Sequence, residues 1–466
     1  MSQQSLAASP PLVLSRYVVA SDPFTERDGQ AVHRLVLSTR SGKMFKMRVS
    51  LWQALVERQF DKMSPAMLRR LMGARLLVQE GTDELTQVLA ENDAEIAQSR
   101  QLYQVIQPSA FCQLGCGYCG QKHEKKQLDI DNRDRIIARV ADKLAARPYD
   151  RLHIGWFGAE PLAGMASIRA LSPRLREEAA RYGAVYTAHV VTNGVKLDVA
   201  TALELSREHG VVSAEVTLDG PADVHDARRH FKAGGPSFDR ILTNLVDVAH
   251  HPEIPLSLTI RCNVDARNAP AVEALIDVLA DAGLAGRANL YFAPIHDWGN
   301  SASELSLDMP TYARHELEWT VYAMSRGFSF GLLPSRKKIV CMAVQPDSEV
   351  IDAYGNVFNC TETPYVEAYG TANRHRIATL QSEGVDRTVN RFGDFNADVA
   401  DGKYGCGKCP MLPVCGGACP KSWAEGQAAC PSFKFSMPDR LLVAHALRQL
   451  VEPVETLEVK SIREGA

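Results

Sequence analysis

The chain has 466 residues, 45% hydrophobic, 23% charged and 7% aromatic, the balance of a soluble globular protein with room for about three domains. Its 52 Lys+Arg against 55 Asp+Glu leave a net charge of −3, which excludes a global pull toward nucleic acid or an anionic membrane. No apolar run is long enough to span a bilayer, and Met1–Pro11 lacks a basic then apolar leader, so the chain reads as cytoplasmic.

The first elements are small. His33–Thr39 and Lys43–Ser50 read as strands joined by the turn Arg40-Ser41-Gly42. Leu51–Arg58 and Pro65–Met72 read as short helices, the second opened by Ser64-Pro65 and stopped by Gly73, and Ala74–Gln79 reads as a returning strand. This order resembles a winged-helix unit. Residues 34–75 carry ten Lys/Arg against Glu57 and Asp61, whereas 80–95 carry six acids and no base. Such asymmetry suits either a solvated face or a surface for an acidic partner segment.

The middle of the chain alternates strand and helix. Strand signals fall at Leu102–Ile106, Arg151–Phe157, Tyr186–Thr192, Val211–Leu218, Leu256–Val264 and Ala288–Phe292. Helical periodicity lies between them, at Arg133–Leu144, Ile168–Tyr182, Val199–His209, Phe238–His250 and Ala271–Ala282, with one further helix at Tyr312–Arg326. The alternation predicts an α/β fold on a parallel sheet, either an open sheet or a partial (β/α)6 TIM-like barrel, with chemistry at the C-terminal strand ends. From Cys341 to Cys430 the chain is turn-rich and needs cross-links to fold.

The 11 cysteines are too few for a disulfide scaffold, and ten of them fall in two bunches. Cys112, Cys116 and Cys119 form C-x3-C-x2-C just past the first of these strands. Cys341 and Cys360 precede Cys406, Cys409, Cys415, Cys419 and Cys430. Cys262 stands alone and reads as a buried apolar thiol. Thiolate groups of this kind hold zinc or iron–sulfur centres.

The triad, with Tyr118 before its third cysteine, resembles the signature of the radical S-adenosylmethionine (SAM) enzymes; the other reading is a zinc knuckle completed by a residue such as His123. Phe157-Gly158-Ala159-Glu160-Pro161-Leu162 is similar to that family's glycine-glycine-glutamate-proline motif, with Ala159 in place of the second glycine. Thr192-Asn193-Gly194, Thr217-Leu218-Asp219-Gly220 and Arg261-Cys262-Asn263 close the next three strands at family positions. The resemblance implies that Cys112, Cys116 and Cys119 hold a [4Fe–4S] cluster with one open iron. It further implies that Tyr118, Gly158, Ala159, Glu160, Pro161, Thr192, Asn193, Thr217, Asp219 and Arg261 line the SAM site. Reductive cleavage of SAM would then give a 5′-deoxyadenosyl radical that takes hydrogen from the substrate.

The second bunch resembles the SPASM extension of radical enzymes that modify peptides, and the resemblance spans 100–435. It implies two auxiliary [4Fe–4S] clusters, an outer one on Cys406, Cys409, Cys415 and Cys430 and an inner one on Cys341, Cys360 and Cys419. Met342–Glu349 lacks the additional cysteine of relatives with a closed inner cluster, so that cluster is expected to have an open or non-cysteine site. Asp219-Gly220-Pro221-x3-His225-Asp226-x2-Arg229 also matches SPASM enzymes, which puts His225 and Arg229 on the substrate side. Tyr291, His296 and Asp297, at the sixth strand end, are candidates for a proton acceptor.

The expected organisation is a winged-helix-like peptide-recognition domain (1–98), a radical SAM partial barrel (99–330), a SPASM domain (331–440) and a C-terminal helix and tail (441–466). The expected activity is an oxidative cross-link, thioether, carbon–carbon or carbon–oxygen, on a ribosomally made precursor peptide with a leader. A low-potential flavodoxin or ferredoxin would supply electrons, and neither nucleic acid nor membrane would take part. The alternatives are an anaerobic sulfatase-maturating enzyme that forms formylglycine, and a metal-bound winged-helix regulator.

Overall fold

The computed structural model describes residues 11–449 except 27–28, 30, 299, 301, 383 and 386–391. The chain divides into two units, one of 1–97, 331–340 and 394–466, the other of 98–330 and 341–393. Residues 331–440 are therefore shared between the two. Among the described residues, no helix is long and apolar enough to cross a membrane.

In the first unit β1 (Leu12–Leu14) pairs antiparallel with the distant β6 (Leu77–Gln79). The central strand β4 (Val32–Ser38) carries β2 (Val18–Ala20) and β3 (Phe24–Thr25) along one edge and β5 (Met44–Arg48) along the other. Two short helices follow, α1 (Val49–Val56) and α2 (Pro65–Gly73). The Ser64 hydroxyl caps α2 by accepting from the Met67 amide at 3.2 Å. Helix α3 (Glu84–Gln98) supplies the acids that answer part of the basic stretch: Arg40 pairs with Glu91 at 2.7 Å. Arg58 pairs with Glu80, just before α3, also at 2.7 Å.

The second unit is built on six parallel strands in sequential order: β7 (Gln101–Ile106), β8 (Arg151–Trp156), β9 (Val185–Thr192), β10 (Val211–Thr217), β11 (Ser257–Val264) and β12 (Ala288–Pro294). The connections carry α4 (Ile130–Ala146), α5 (Met165–Arg181), α6 (Val199–Arg207), α7 (Ala222–Arg228), α8 (Phe238–His250) and α9 (Val272–Asp281), and α10 (Met309–Ser325) follows β12. Side-chain alternation decides what each face does. Leu152, Ile154, Trp156, Ala188 and Val190 join the apolar helix-facing core, as does Cys262, fully buried as expected. The opposite face carries His153, His189, Glu215, Arg261 and Tyr291, so it is polar and half-buried. The sheet continues beyond β7 with β13 (Glu349–Ile351), parallel to it, then β14 (Asn356–Phe358) and β15 (Ala378–Thr379), both antiparallel to their neighbours.

The C-terminal part of the first unit comprises α11 (Phe395–Ala400), the one-turn helices α12 (Leu412–Cys415) and α13 (Pro420–Ala424), and α14 (Phe433–Gln449). Leu35 and Leu37 of β4 share a buried cluster with Met411, Val414, Met437 and Leu441, so the N-terminal sheet and the C-terminal cysteine region have a common core. Residues 450–466 of the expected tail lie outside the described residues.

Candidate active site

The cysteine loop follows β7 and is tied at several points. Gly115 and Gly117 donate backbone hydrogen bonds to the carbonyls of His230 and Arg228, at 2.9 and 3.0 Å, and the Cys119 amide donates to the Cys116 carbonyl at 3.1 Å. Cys112 is buried and accepts from Asn193 Nδ2 at 3.5 Å. Burial, followed by the Glu160 carboxylate, pushes the Cys112 thiol up to about 12. Burial raises Cys116 as well, with the Arg229 guanidinium opposing it. Thiols held this way do not ionise unaided at neutral pH, and a metal must displace their protons. His123 Nε2 lies 3.9 Å from Cys119 Sγ, and its Nδ1 lies 2.7 Å from Lys232 Nζ.

Tyr118 is fixed from four sides. Its hydroxyl donates to Asp219 Oδ2 at 2.6 Å and accepts from Arg229 Nη1 at 2.5 Å and Asn263 Nδ2 at 3.0 Å, while its carbonyl accepts from Asn300 Nδ2 at 3.2 Å. Asp219 is fully buried, and its other carboxylate oxygen accepts from the Asn263 amide at 3.0 Å. It therefore braces the cysteine loop rather than presenting a free carboxylate. His225 and Arg229, expected on the substrate side, are engaged inward. The Asp219 amide donates to His225 Nδ1 at 3.2 Å, and His225 Nε2 faces Ser237 Oγ at 3.1 Å, so both ring nitrogens are taken. Arg229 is buried against Tyr118 and couples electrostatically to Cys116.

The turn after β8 presents Glu160. Its carboxylate is fully buried and accepts from the Leu162 amide at 2.9 Å, Thr192 Oγ1 at 2.6 Å and the Asn193 amide at 2.8 Å. Burial outweighs these bonds and raises its pKa, so a cationic ligand beside it would stabilise the ionised form. Gly158 has φ +121°, and a Cβ there would lie 3.0 Å from Gln107 Cβ, so this position requires glycine. Ala159 is not in the left-handed region, which explains why its methyl group is tolerated. Pro161 opens a 3-10 turn over 161–164, and Thr217 ends β10 as a buried residue.

On β11 and β12, Arg261 Nε donates to Asn263 Oδ1 at 2.7 Å, and its Nη1 lies 3.4 Å from Tyr291 Oη and 3.8 Å from Glu215 Oε1. Tyr291 thus meets Arg261 and Glu215, whereas His296 and Asp297 lie in the segment after β12. There His296 packs edge-on to Trp298, with ring centroids 4.7 Å apart, and Asp297 Oδ1 accepts from the Asn300 amide at 3.3 Å. Sequence reasoning missed Gln107, Glu215 and Asn263. Gln107 is fully buried and neither atom of its amide has a hydrogen-bond partner among the described residues. Its place directly after a strand end was the available signal.

In the first unit, Cys406, Cys409, Cys415 and Cys430 line one cavity of about 80 Å³ together with Trp423 and Lys434. Of the remaining three cysteines, Cys341 and Cys360 belong to the second unit and Cys419 to the first.

Residues 106–251 match the Radical SAM superfamily model. The chain is a radical SAM enzyme, and its chemistry uses SAM and a [4Fe–4S] cluster. The three thiols of one loop, the buried Glu160 and the unpartnered Gln107 amide fit that pair of groups. Among relatives, the chain is 23% identical over 360 residues to a serine-type anaerobic sulfatase-maturating enzyme of Bacteroides thetaiotaomicron, covering 70% of this chain and 84% of that one. It is 27% identical over 138 residues to an uncharacterised Synechocystis protein, 28% of this chain but only 33% of that protein's length. The fold is similar to that of anSMEcpe with bound AdoMet, with TM-score 0.54 and 16% identity over 74% of this chain and 99% of the other.

Proposed function

We propose that this enzyme is a SPASM-type maturase that installs an oxidative cross-link on a ribosomally made precursor peptide. The observation that carries the reading is the cavity lined by Cys406, Cys409, Cys415 and Cys430, a second set of thiols apart from the triad. With Cys341, Cys360 and Cys419 for an inner auxiliary cluster, the ten thiols suffice for three [4Fe–4S] clusters. Relationship to an enzyme that matures a protein supports a peptide substrate.

Bound together, the triad's cluster and SAM supply a hydrogen-abstracting radical. Cys112, Cys116 and Cys119 would hold the cluster, Asn193 orients Cys112, and Tyr118 locks the loop through Asp219. Glu160 would receive the SAM ammonium group, and Arg261 would line the SAM site with Tyr291 beside it. The N-terminal sheet would capture the leader by strand addition at β5, whose only pairing among the described residues is with β4.

Sulfatase maturation is the second reading, favoured by the same relative. Anaerobic incubation with SAM, reductant and the short peptides encoded beside the gene separates the two. We expect a peptide that has lost a pair of hydrogens and carries a new side-chain bond in tandem mass spectra. Formylglycine on a sulfatase peptide, with no change to the short peptides, would overturn the cross-link. Replacing all three of Cys112, Cys116 and Cys119 with alanine should abolish 5′-deoxyadenosine formation, and persistent formation would refute the triad's role.

A further inference from the structure

Among the described residues, Lys434 is the one cation lining the cavity of Cys406, Cys409, Cys415 and Cys430. It lies in the first turn of α14, four residues after Cys430, and its Nζ donates to Cys430 Sγ at 3.1 Å. The Phe435 ring centroid lies 5.6 Å from the same Nζ. The hydrogen bond to Cys430, with the nearby Cys409 and Cys406 sulfurs, holds its pKa above the usual lysine value. A second donor reaches the same thiol set, the Gly417 amide at 3.3 Å from Cys415 Sγ.

An iron–sulfur cluster gains one negative charge on reduction. A fixed cation and a charge-assisted hydrogen bond on a ligand sulfur therefore stabilise the reduced form more than the oxidised form. Apolar lining from Leu412 and Trp423 strengthens the effect by lowering the local dielectric. We propose that Lys434 sets the reduction potential of the outer auxiliary cluster, raising it above that of the same four thiolates without the ammonium. This rests on the reading of Cys406, Cys409, Cys415 and Cys430 as cluster ligands. It also gives the cluster a task. Once a hydrogen atom has left the peptide, closing a bond to a second position expels a proton to water and one electron. A cluster of raised potential is the better acceptor for that electron.

The test uses the full chain, reconstituted anaerobically, with iron analysis and potentiometric electron paramagnetic resonance. The outer cluster's signal is the one lost in Cys409→Ala. In Lys434→Met, iron content should stay at the wild-type value while that signal's midpoint falls by at least about 59 mV, tenfold in the one-electron equilibrium. Lys434→Arg, which keeps the charge and a donor, should recover most of the shift. An unchanged midpoint with unchanged iron overturns the role of Lys434 and leaves the cluster standing. Loss of about four irons in both Lys434 variants makes the residue a structural support of the cluster and also overturns the proposal. If Cys409→Ala removes no signal and no iron from the wild-type complement, the cluster reading itself fails and the inference falls with it.

Discussion

At the residue scale, the motifs named in the sequence are held by partners that the sequence does not advertise. Asp219 and Tyr118 were legible because short strings place them at a strand end and beside a cysteine. His225 was not, because what decides its role is the Asp219 amide on one side and Ser237 on the other, and neither residue type signals that contact. Since Nδ1 accepts, Nε2 carries the proton and donates to Ser237 Oγ, which in turn donates to the Arg229 carbonyl at 2.6 Å. Burial, then the Arg229 charge, pushes His225 down from 6.5 to about 4. The sign follows from proton binding. Above pH 6.5 neither the folded nor the unfolded chain protonates this ring; below it only the unfolded chain does, until the folded ring titrates near 4. Stability contributed by the neutral ring is therefore present above 6.5 and lost as pH falls, at about 1.4 kcal/mol per unit and about 3 kcal/mol in all. His225→Asn keeps an acceptor for the Asp219 amide and removes the titration. Urea unfolding at pH 6.5 and 5.5 should show a loss about 1 kcal/mol smaller in this variant than in the wild type, and equal losses would reject the assignment.

At the element scale, the six parallel strands were legible because each buries a run of branched apolar residues against helices of clear periodicity. The strands of two or three residues at β13, β14 and β15 show no period, and the acidic run 80–95 masked α3, whose Val88 and Leu89 are buried. Besides its parallel pairing with β7, β13 is tied to α4 by a buried ion cluster. Glu349 accepts from Arg139 Nε and Nη2 at 2.7 and 2.8 Å, and Lys143 Nζ lies 2.9 Å away. Burial pushes the Glu349 carboxyl up, but the bonds from Arg139 and Lys143 prevail and hold it below its ordinary value. Glu349→Gln would leave two cations of α4 without their counter-charge in a half-buried site, at a cost of about 3–5 kcal/mol. Because β13 and β14 connect Cys341 to Cys360, the same change should loosen that stretch. Differential scanning calorimetry and limited proteolysis between 341 and 360 measure both effects, and wild-type melting with wild-type cleavage would count against the staple. Arg139→Met and Lys143→Met combined with Glu349→Leu should restore much of the loss, since an apolar set leaves neither cation without its counter-charge.

At the scale of the whole molecule, the two ends of the chain belong to one unit, a feature that no local pattern reveals. The basic strand-and-helix region and the C-terminal cysteines read as separate modules, yet Leu35 and Leu37 are buried with Met411, Val414, Met437 and Leu441. Thr39 Oγ1 donates to the Pro410 carbonyl at 2.6 Å, and Arg16 Nη2 donates to that of Gly407 at 2.5 Å. Both acceptors stand next to thiols of the four-cysteine cavity, Gly407 after Cys406 and Pro410 after Cys409. Deleting residues 1–95 therefore does more than remove a leader-binding surface. It uncovers four large apolar side chains at roughly 1.5–3 kcal/mol each and frees the carbonyls that fix the Cys406–Cys409 turn. The truncated enzyme should bind precursor peptide weakly and, on reconstitution, hold about four fewer irons than the full chain, while its triad still forms 5′-deoxyadenosine. Leu37→Asp should reproduce the iron loss with β5 still in place, separating the shared core from peptide capture. Full iron content in both variants would show that the cysteine region folds without the N-terminal sheet, and unchanged peptide affinity in the deletion would reject that sheet as the capture element.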